Sequence, residues 1–176
     1  MAEFTLQALE EKALQLLNIM PRTVFSLRQK LLKTYGPEHS AEIDDLILRF
    51  QEYGYLNDRA YCEELFRYIR NDRPMGPAGI RQECYKRGVP KALCEEYLRT
   101  LYEEDFLEMA VLCLHRRGGK IGSDVKEQNR AMQYLARRGF SWSVIRKALS
   151  EVRNADTDVY TDFFEESEEP YFDDEI

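Results

Sequence analysis

The residues able to do covalent or acid–base chemistry in this chain are sparse and scattered. The two histidines, His39 and His115, lie far apart. Cys113-Leu-His115 brings a thiol and an imidazole within two positions, but residues two apart on a helix point different ways and do not chelate one ion. Cys62, Cys84, Cys94 and Cys113 include no Cys-x-x-Cys spacing. Each falls in an apolar helical stripe, so all four read as reduced, buried thiols rather than disulfides or zinc ligands. The carboxylate pairs Asp44-Asp45, Glu63-Glu64 and Glu95-Glu96 fall where the helical period predicts water. Gly118-Gly119-Lys120 lacks the upstream glycine and the downstream Ser/Thr of a phosphate-binding loop, and it follows a helix rather than a strand. No nucleophile stands beside a base. The sequence predicts a protein that binds rather than catalyses, with no cofactor and no metal.

The basic residues carry more information. Residues 110–153 contain ten Lys/Arg against three acids, whereas residues 154–176 contain ten acids and no base. The net charge of −7 therefore hides a basic third segment and an acidic tail. On a wheel at 100° per residue, Lys126, Arg130, Gln133 and Arg137 fall within about 60° of one another, away from Val125, Met132 and Leu135. Solvated helix faces normally mix both signs. A stripe with positive charge alone is expected to meet something anionic, a phosphate backbone or an acidic protein surface. Arg116, Arg117, Lys120, Arg138, Arg146 and Lys147 extend it. A second group, with Arg70, Arg73, Arg81 and Arg87 at its centre and Arg67, Lys86 and Lys91 beside them, is diluted by acids. The tyrosines at 53, 55, 61, 68, 85, 97 and 102 are expected to be packing residues.

The elements that must position these cations are helices, because almost every segment has apolar residues at i, i+3, i+4 and i+7. A first helix runs from Phe4 to Met20, with Leu6, Leu9, Ala13, Leu16, Leu17 and Met20 on its apolar face, and Pro21 ends it. Thr23 or Ser26 caps a second through Tyr35, and Ser40 caps a third with Ile43, Leu46, Ile47 and Phe50 inward. The cycle restarts at Asn57 or Asp58. It passes Pro74-Met75-Gly76-Pro77 and Gly88, and Pro90 occupies the first turn of the next helix. Glu103 to Arg117 opens a third cycle. Ser123 caps the helix through Arg138, and Ser141 opens a last one with Trp142, Val144, Ile145, Ala148, Leu149 and Val152 inward.

Ile80-Arg-Gln-Glu-Cys84-Tyr-Lys-Arg-Gly88 aligns with Ala131-Met-Gln-Tyr-Leu135-Ala-Arg-Arg-Gly139 at an offset of 51 residues. Leu27-Arg-Gln-Lys-Leu31 aligns with Ile80-Arg-Gln-Glu-Cys84 at an offset of 53, with its glycine one residue late at Gly36. The expected fold is thus all-α, with three tandem three-helix repeats (1–56, 57–102 and 103–153) forming an elongated or curved module. The apolar period stops at Asn154. The remainder, 154–176, is expected to be an acidic tail, disordered or loosely docked through Tyr160, Phe163, Phe164, Tyr171 and Phe172 on the basic repeat or on a partner. No basic-then-apolar leader and no apolar run of about 18 residues is present, so a cytoplasmic protein without a membrane contact is expected.

Phe25-Ser-Leu-Arg-Gln-Lys-Leu31 and Tyr53-Gly-Tyr-Leu-Asn-Asp58 with Tyr61-Cys62 resemble the first repeat and following signature of RecX proteins. Gly79-Ile-Arg-Gln-Glu, Lys86-Arg-Gly88-Val89, and Tyr134-Leu-Ala-Arg-Arg-Gly-Phe-Ser141 before Val144-Ile145 resemble the later repeats. The resemblance covers about residues 8–152. It implies a three-repeat helical regulator without catalysis, a monomer that lodges in the groove of RecA–DNA filaments and limits their growth and recombinase activity. RecA-type filaments and DNA phosphates are then the expected partners of the basic face. The extra residue before Gly36 and the tail depart from the family pattern. A helix-turn-helix DNA-binding regulator, reading bases through Asn129, Arg130 and Gln133, and a helical protein–protein adaptor are the competing classes.

Overall fold

The computed structural model describes residues 4–118 and 124–165, the stretch 155–165 as backbone alone. Every regular element among the described residues is helical: α1 (Leu6–Ile19), α2 (Val24–Tyr35), a 3₁₀ turn (Pro37–His39), α3 (Ser40–Glu52), α4 (Asp58–Asn71), α5 (Pro77–Arg87), α6 (Lys91–Leu98), α7 (Glu103–Arg117), α8 (Val125–Arg137) and α9 (Trp142–Glu165). The chain divides into two compact units. The first comprises residues 1–73 and 80–101, the second 74–79 and 102–176. The division therefore passes through α5, whose first turn belongs to the second unit.

In the first unit α1, α2 and α3 close over Leu9, Ala13, Leu27, Leu31, Ile43, Leu46, Ile47 and Phe50, with Leu56 from the following turn. These positions recur at helical spacing, so each helix has one dry face. Burying such a side chain fully contributes about 1.5–3 kcal/mol. Leu6 and Met20, expected on the apolar face of α1, are exposed instead because they stand at its two ends. Cys62, Cys84 and Cys94 are buried alongside Leu65, Ile69 and Ile80, and the Phe66 and Tyr97 rings stack at 3.8 Å. In the second unit Phe106, Ala110 and Leu114 of α7, Ala131 and Leu135 of α8, and Val144, Ile145, Ala148 and Val152 of α9 are buried.

The helix starts obey capping chemistry, with corrections. Thr23 caps α2, its Oγ1 accepting from Ser26 N at 3.1 Å, and Asn57 caps α4, accepting from Ala60 N at 3.0 Å. Ser40 does not cap α3. Pro37 starts a 3₁₀ turn that runs straight into the helix, so Ser40 is already helical at φ −61°, ψ −36°. Pro90 stands just before α6 rather than within it. Asp124 caps α8, accepting from Lys126 N at 2.9 Å, while Ser123 lies outside the described residues. Val125, expected inward, is 66% exposed in the first turn of α8, and Ala131 takes the dry position. Trp142 is 62% exposed. It lies roughly 100° around α9 from the centre of the Val144–Ile145–Ala148–Val152 stripe. The backbone also stays helical past Asn154, where the apolar period ends, as far as Glu165.

One joint is built twice. In the first unit the segment entering α2 meets the end of α5: buried Thr23 donates from Oγ1 to Arg87 O at 2.7 Å. In the second unit the segment entering α5 meets the end of α8: Gly76 N donates to Arg138 O at 3.0 Å and Ala78 N to Gly139 O at 3.3 Å. Gly88 and Gly139, at φ +68° and +82°, end α5 and α8 in the left-handed region. A Cβ on Gly139 would lie 2.0 Å from Gly79 N, so the two chain segments pass at a distance only glycine permits.

Candidate cationic interface

The exposed face of α8 is set by its buried one. Ala131 and Leu135 are fully covered, which turns Lys126, Arg130, Gln133 and Arg137 into water together. Glu127 is half-buried beside this stripe and takes hydrogen bonds from Arg130 and from Arg117 of α7, the latter at 3.2 Å. Those two contacts, Arg130 first, hold its carboxyl below the usual range. Arg137 Nη2 reaches Gln133 Oε1 at 3.5 Å. Lys126 makes no ion pair among the described residues.

The other expected cations of the third repeat separate into different roles. Arg146 is exposed on α9, and Arg116 is exposed near the end of α7. Lys147 is exposed but pairs with Glu103 at 2.9 Å, which raises its pKa. Lys120 lies outside the described residues. Arg138 does not join the stripe. It is half-buried, its Nη1 donates to Pro74 O at 3.0 Å, and its guanidinium lies 4.8 Å from the Tyr134 ring centroid. Arg138 braces the joint, as Arg117 braces α7 against α8.

The second group belongs to the first unit. Arg81 grips Glu95 with two hydrogen bonds, at 2.8 and 3.1 Å. Arg87 is half-buried, with Nε on Glu83 at 2.7 Å and Nη1 on the Tyr61 hydroxyl at 3.3 Å. Arg70 and Arg73 are exposed at the end of α4 and just beyond it. Acids thus neutralise Arg81 and Arg87, as the acids mixed into this group in the sequence led one to expect, though the Arg81–Glu95 pair joins two elements and no spacing names it.

The aromatics overturn their expectation. Tyr53, Tyr55, Tyr68 and Tyr102 are exposed, and Tyr85 is 85% exposed; only Tyr61 and Tyr97 are half-buried. The thiols sit dry. Burial, with the nearby Asp58 and Cys94 adding to it, pushes Cys62 up to about 11, and burial likewise raises Cys84, Cys94 and Cys113. No group of three or more His, Cys, Asp or Glu side chains able to hold a metal occurs among the described residues. No described helix is long and apolar enough to cross a membrane.

Fold and surface together define an all-helical protein of tandem three-helix modules that presents a cationic helix face. The chain belongs to the RecX family. The models of the RecX second and third three-helix domains match residues 57–98 and 103–149. It is 32% identical over 146 residues to the regulatory protein RecX of Deinococcus radiodurans, covering 83% of this chain and 69% of that one. It is 31% identical over 140 residues to the regulatory protein RecX of Trichlorobacter lovleyi, covering 77% and 89%. The crystal structure of RecX from Lactobacillus salivarius has the same fold, with a TM-score of 0.66 at 23% identity over 84% of this chain and 96% of that one.

Proposed function

We propose that this chain is a non-catalytic, monomeric, cytoplasmic regulator that binds the DNA filament of a RecA-type recombinase and limits its growth and ATP hydrolysis. The repeats 1–56, 57–102 and 103–153 act as its tandem binding modules. The observation that carries this reading is a stripe of exposed cations, Lys126, Arg130 and Arg137, on one face of α8 in a chain of the RecX family. A cationic helix face suits an anionic groove, whether phosphates or acidic protein line it.

The test follows ATPase rate and filament length of a cognate recombinase on single-stranded DNA as this protein is added below stoichiometry. The parent is expected to shorten filaments and lower the rate. The variant with Lys126, Arg130 and Arg137 all changed to Ala is expected to need roughly tenfold more protein for the same effect. A recombinase indifferent to the parent chain would overturn the proposal.

A further inference from the structure

The first unit holds a cleft of a different character from the α8 stripe. Its volume is about 560 Å³, between α2 and the end of α5, with Phe25, Gln29, Lys30, Lys33, Lys86 and Arg87 around it. No carboxylate lines it. Arg87 is already engaged by Glu83 and Tyr61, whereas Lys30, Lys33 and Lys86 make no ion pair among the described residues.

Phe25 is the unusual member. It stands in the first turn of α2 and is 53% exposed, an expensive position for a phenyl ring. The ring is held there by the joint: a Cβ added to Gly88 would lie 2.3 Å from Phe25 Cδ1, so the ring rests against the glycine that ends α5. Tyr85, 85% exposed, is three residues before that glycine on the same helix. Tyr85 does not line the cleft, so Phe25 is the ring that stands among its lysines, and Phe25, Gln29 and Lys33 form one row at four-residue spacing along α2.

We propose that this cleft is a binding site for single-stranded nucleic acid, with a base stacked on Phe25 and the backbone phosphates against Lys30, Lys33 and Lys86. An exposed ring among lysines offers a face on which an unpaired base can stack, whereas a duplex keeps its bases inside its own stack. Lysines act as point charges that follow a phosphate chain without demanding a fixed geometry. A carboxylate-bearing peptide would be matched best by a free guanidinium fork, and the cleft's one arginine is occupied. The site is separate from the recombinase reading and is tested without a recombinase.

The experiment is fluorescence anisotropy of a labelled oligothymidylate, and of a duplex of equal length, titrated with the full chain across a salt series. The parent is expected to prefer the single strand. Phe25→Ala and Phe25→Leu are each expected to weaken single-strand binding by about 5- to 100-fold with the salt slope unchanged, and Phe25→Trp to retain it. Lys30, Lys33 and Lys86 changed together to Ala should flatten the slope of log K against log salt by about 2. Melting curves check the fold, and the Leu variant keeps the apolar bulk should Ala disturb it. Parent-like binding by both Phe25→Leu and the lysine triple variant would overturn the site. So would displacement of the oligonucleotide by a Glu/Tyr copolymer that binds more tightly than it and equally depends on Phe25, which would assign the cleft to acidic protein.

Discussion

At the residue scale, Asp58 has a titration consequence. Its Oδ1 accepts from Val24 N at 2.8 Å, tying the start of α4 to the start of α2. Burial raises its carboxyl above the ordinary value, and the Val24 hydrogen bond only partly opposes this. A raised carboxyl favours the folded state most when protonated. Its contribution is full below the unfolded value of 3.8 and is lost as pH rises through the folded one. Asn at this position keeps the amide oxygen as acceptor and never ionises. Asp58→Asn should therefore match the parent in urea midpoint near pH 3 and exceed it at pH 7. A variant that falls behind the parent as pH rises would contradict this account. The carboxylates of Glu95, Glu96 and Glu127, lowered by Arg81, Arg59 and Arg130, act in the opposite sense, so the comparison is between variant and parent at each pH.

At the element scale, the helices were legible in the sequence because apolar spacing and capping residues agree. Thr23 and Asn57 were nameable as caps on that basis. Ser40 was named on the same basis and is not a cap, because the 3₁₀ turn that absorbs it depends on Pro37 and the packing of α2 on α3. Ser40 Oγ instead accepts from Arg28 Nη2 at 3.3 Å, beside the Arg28–Asp44 pair. The exposure of the α8 stripe followed from the wheel even though Val125, one of its three inward residues, is exposed, because Leu135 and half-buried Met132 hold the orientation and Ala131 joins them. The roles of Arg117 and Arg138 did not, since each is decided by a partner on another element, Glu127 and Pro74 respectively. Thr23 also does more than a cap: it accepts from Ser26 N and donates to Arg87 O while wholly buried. Thr23→Val keeps the shape and removes both bonds, leaving the Arg87 carbonyl without this donor. Such a loss is expected to cost about 1–3 kcal/mol, read as a lower urea midpoint. A midpoint unchanged from the parent would mean that the hydroxyl is dispensable.

At the scale of the whole molecule, the repeat offsets foretold modules but not that residues 74–79 belong with 102–176. The reason lies in backbone contacts that no side-chain pattern reports: Gly76 N on Arg138 O and Ala78 N on Gly139 O. Gly79 stands in that contact, where an added Cβ would lie 2.2 Å from Arg138 O. Gly79→Ala should loosen the joint, with a cost of about 1–3 kcal/mol. Hydrogen exchange should locate the damage. Protection is expected to fall in α7, α8 and α9 and to persist in α1, α2 and α3, whose core contains none of these atoms. Uniform loss across both units would contradict that assignment.

The repeated joint also bears on ancestry. Its constant parts are a carbonyl at the end of one helix and a left-handed glycine after it, while the donor differs, a threonine hydroxyl in the first copy and backbone amides in the second. Copies of a duplicated segment joined in this way are free to drift apart at nearly every position without losing their means of attachment. Ile80 to Gly88 and Ala131 to Gly139 hold in common a glutamine, an arginine and the glycine itself, and differ at the other six positions. Kinship among such modules is preserved in where the chain turns, long after it has faded from the letters between the turns.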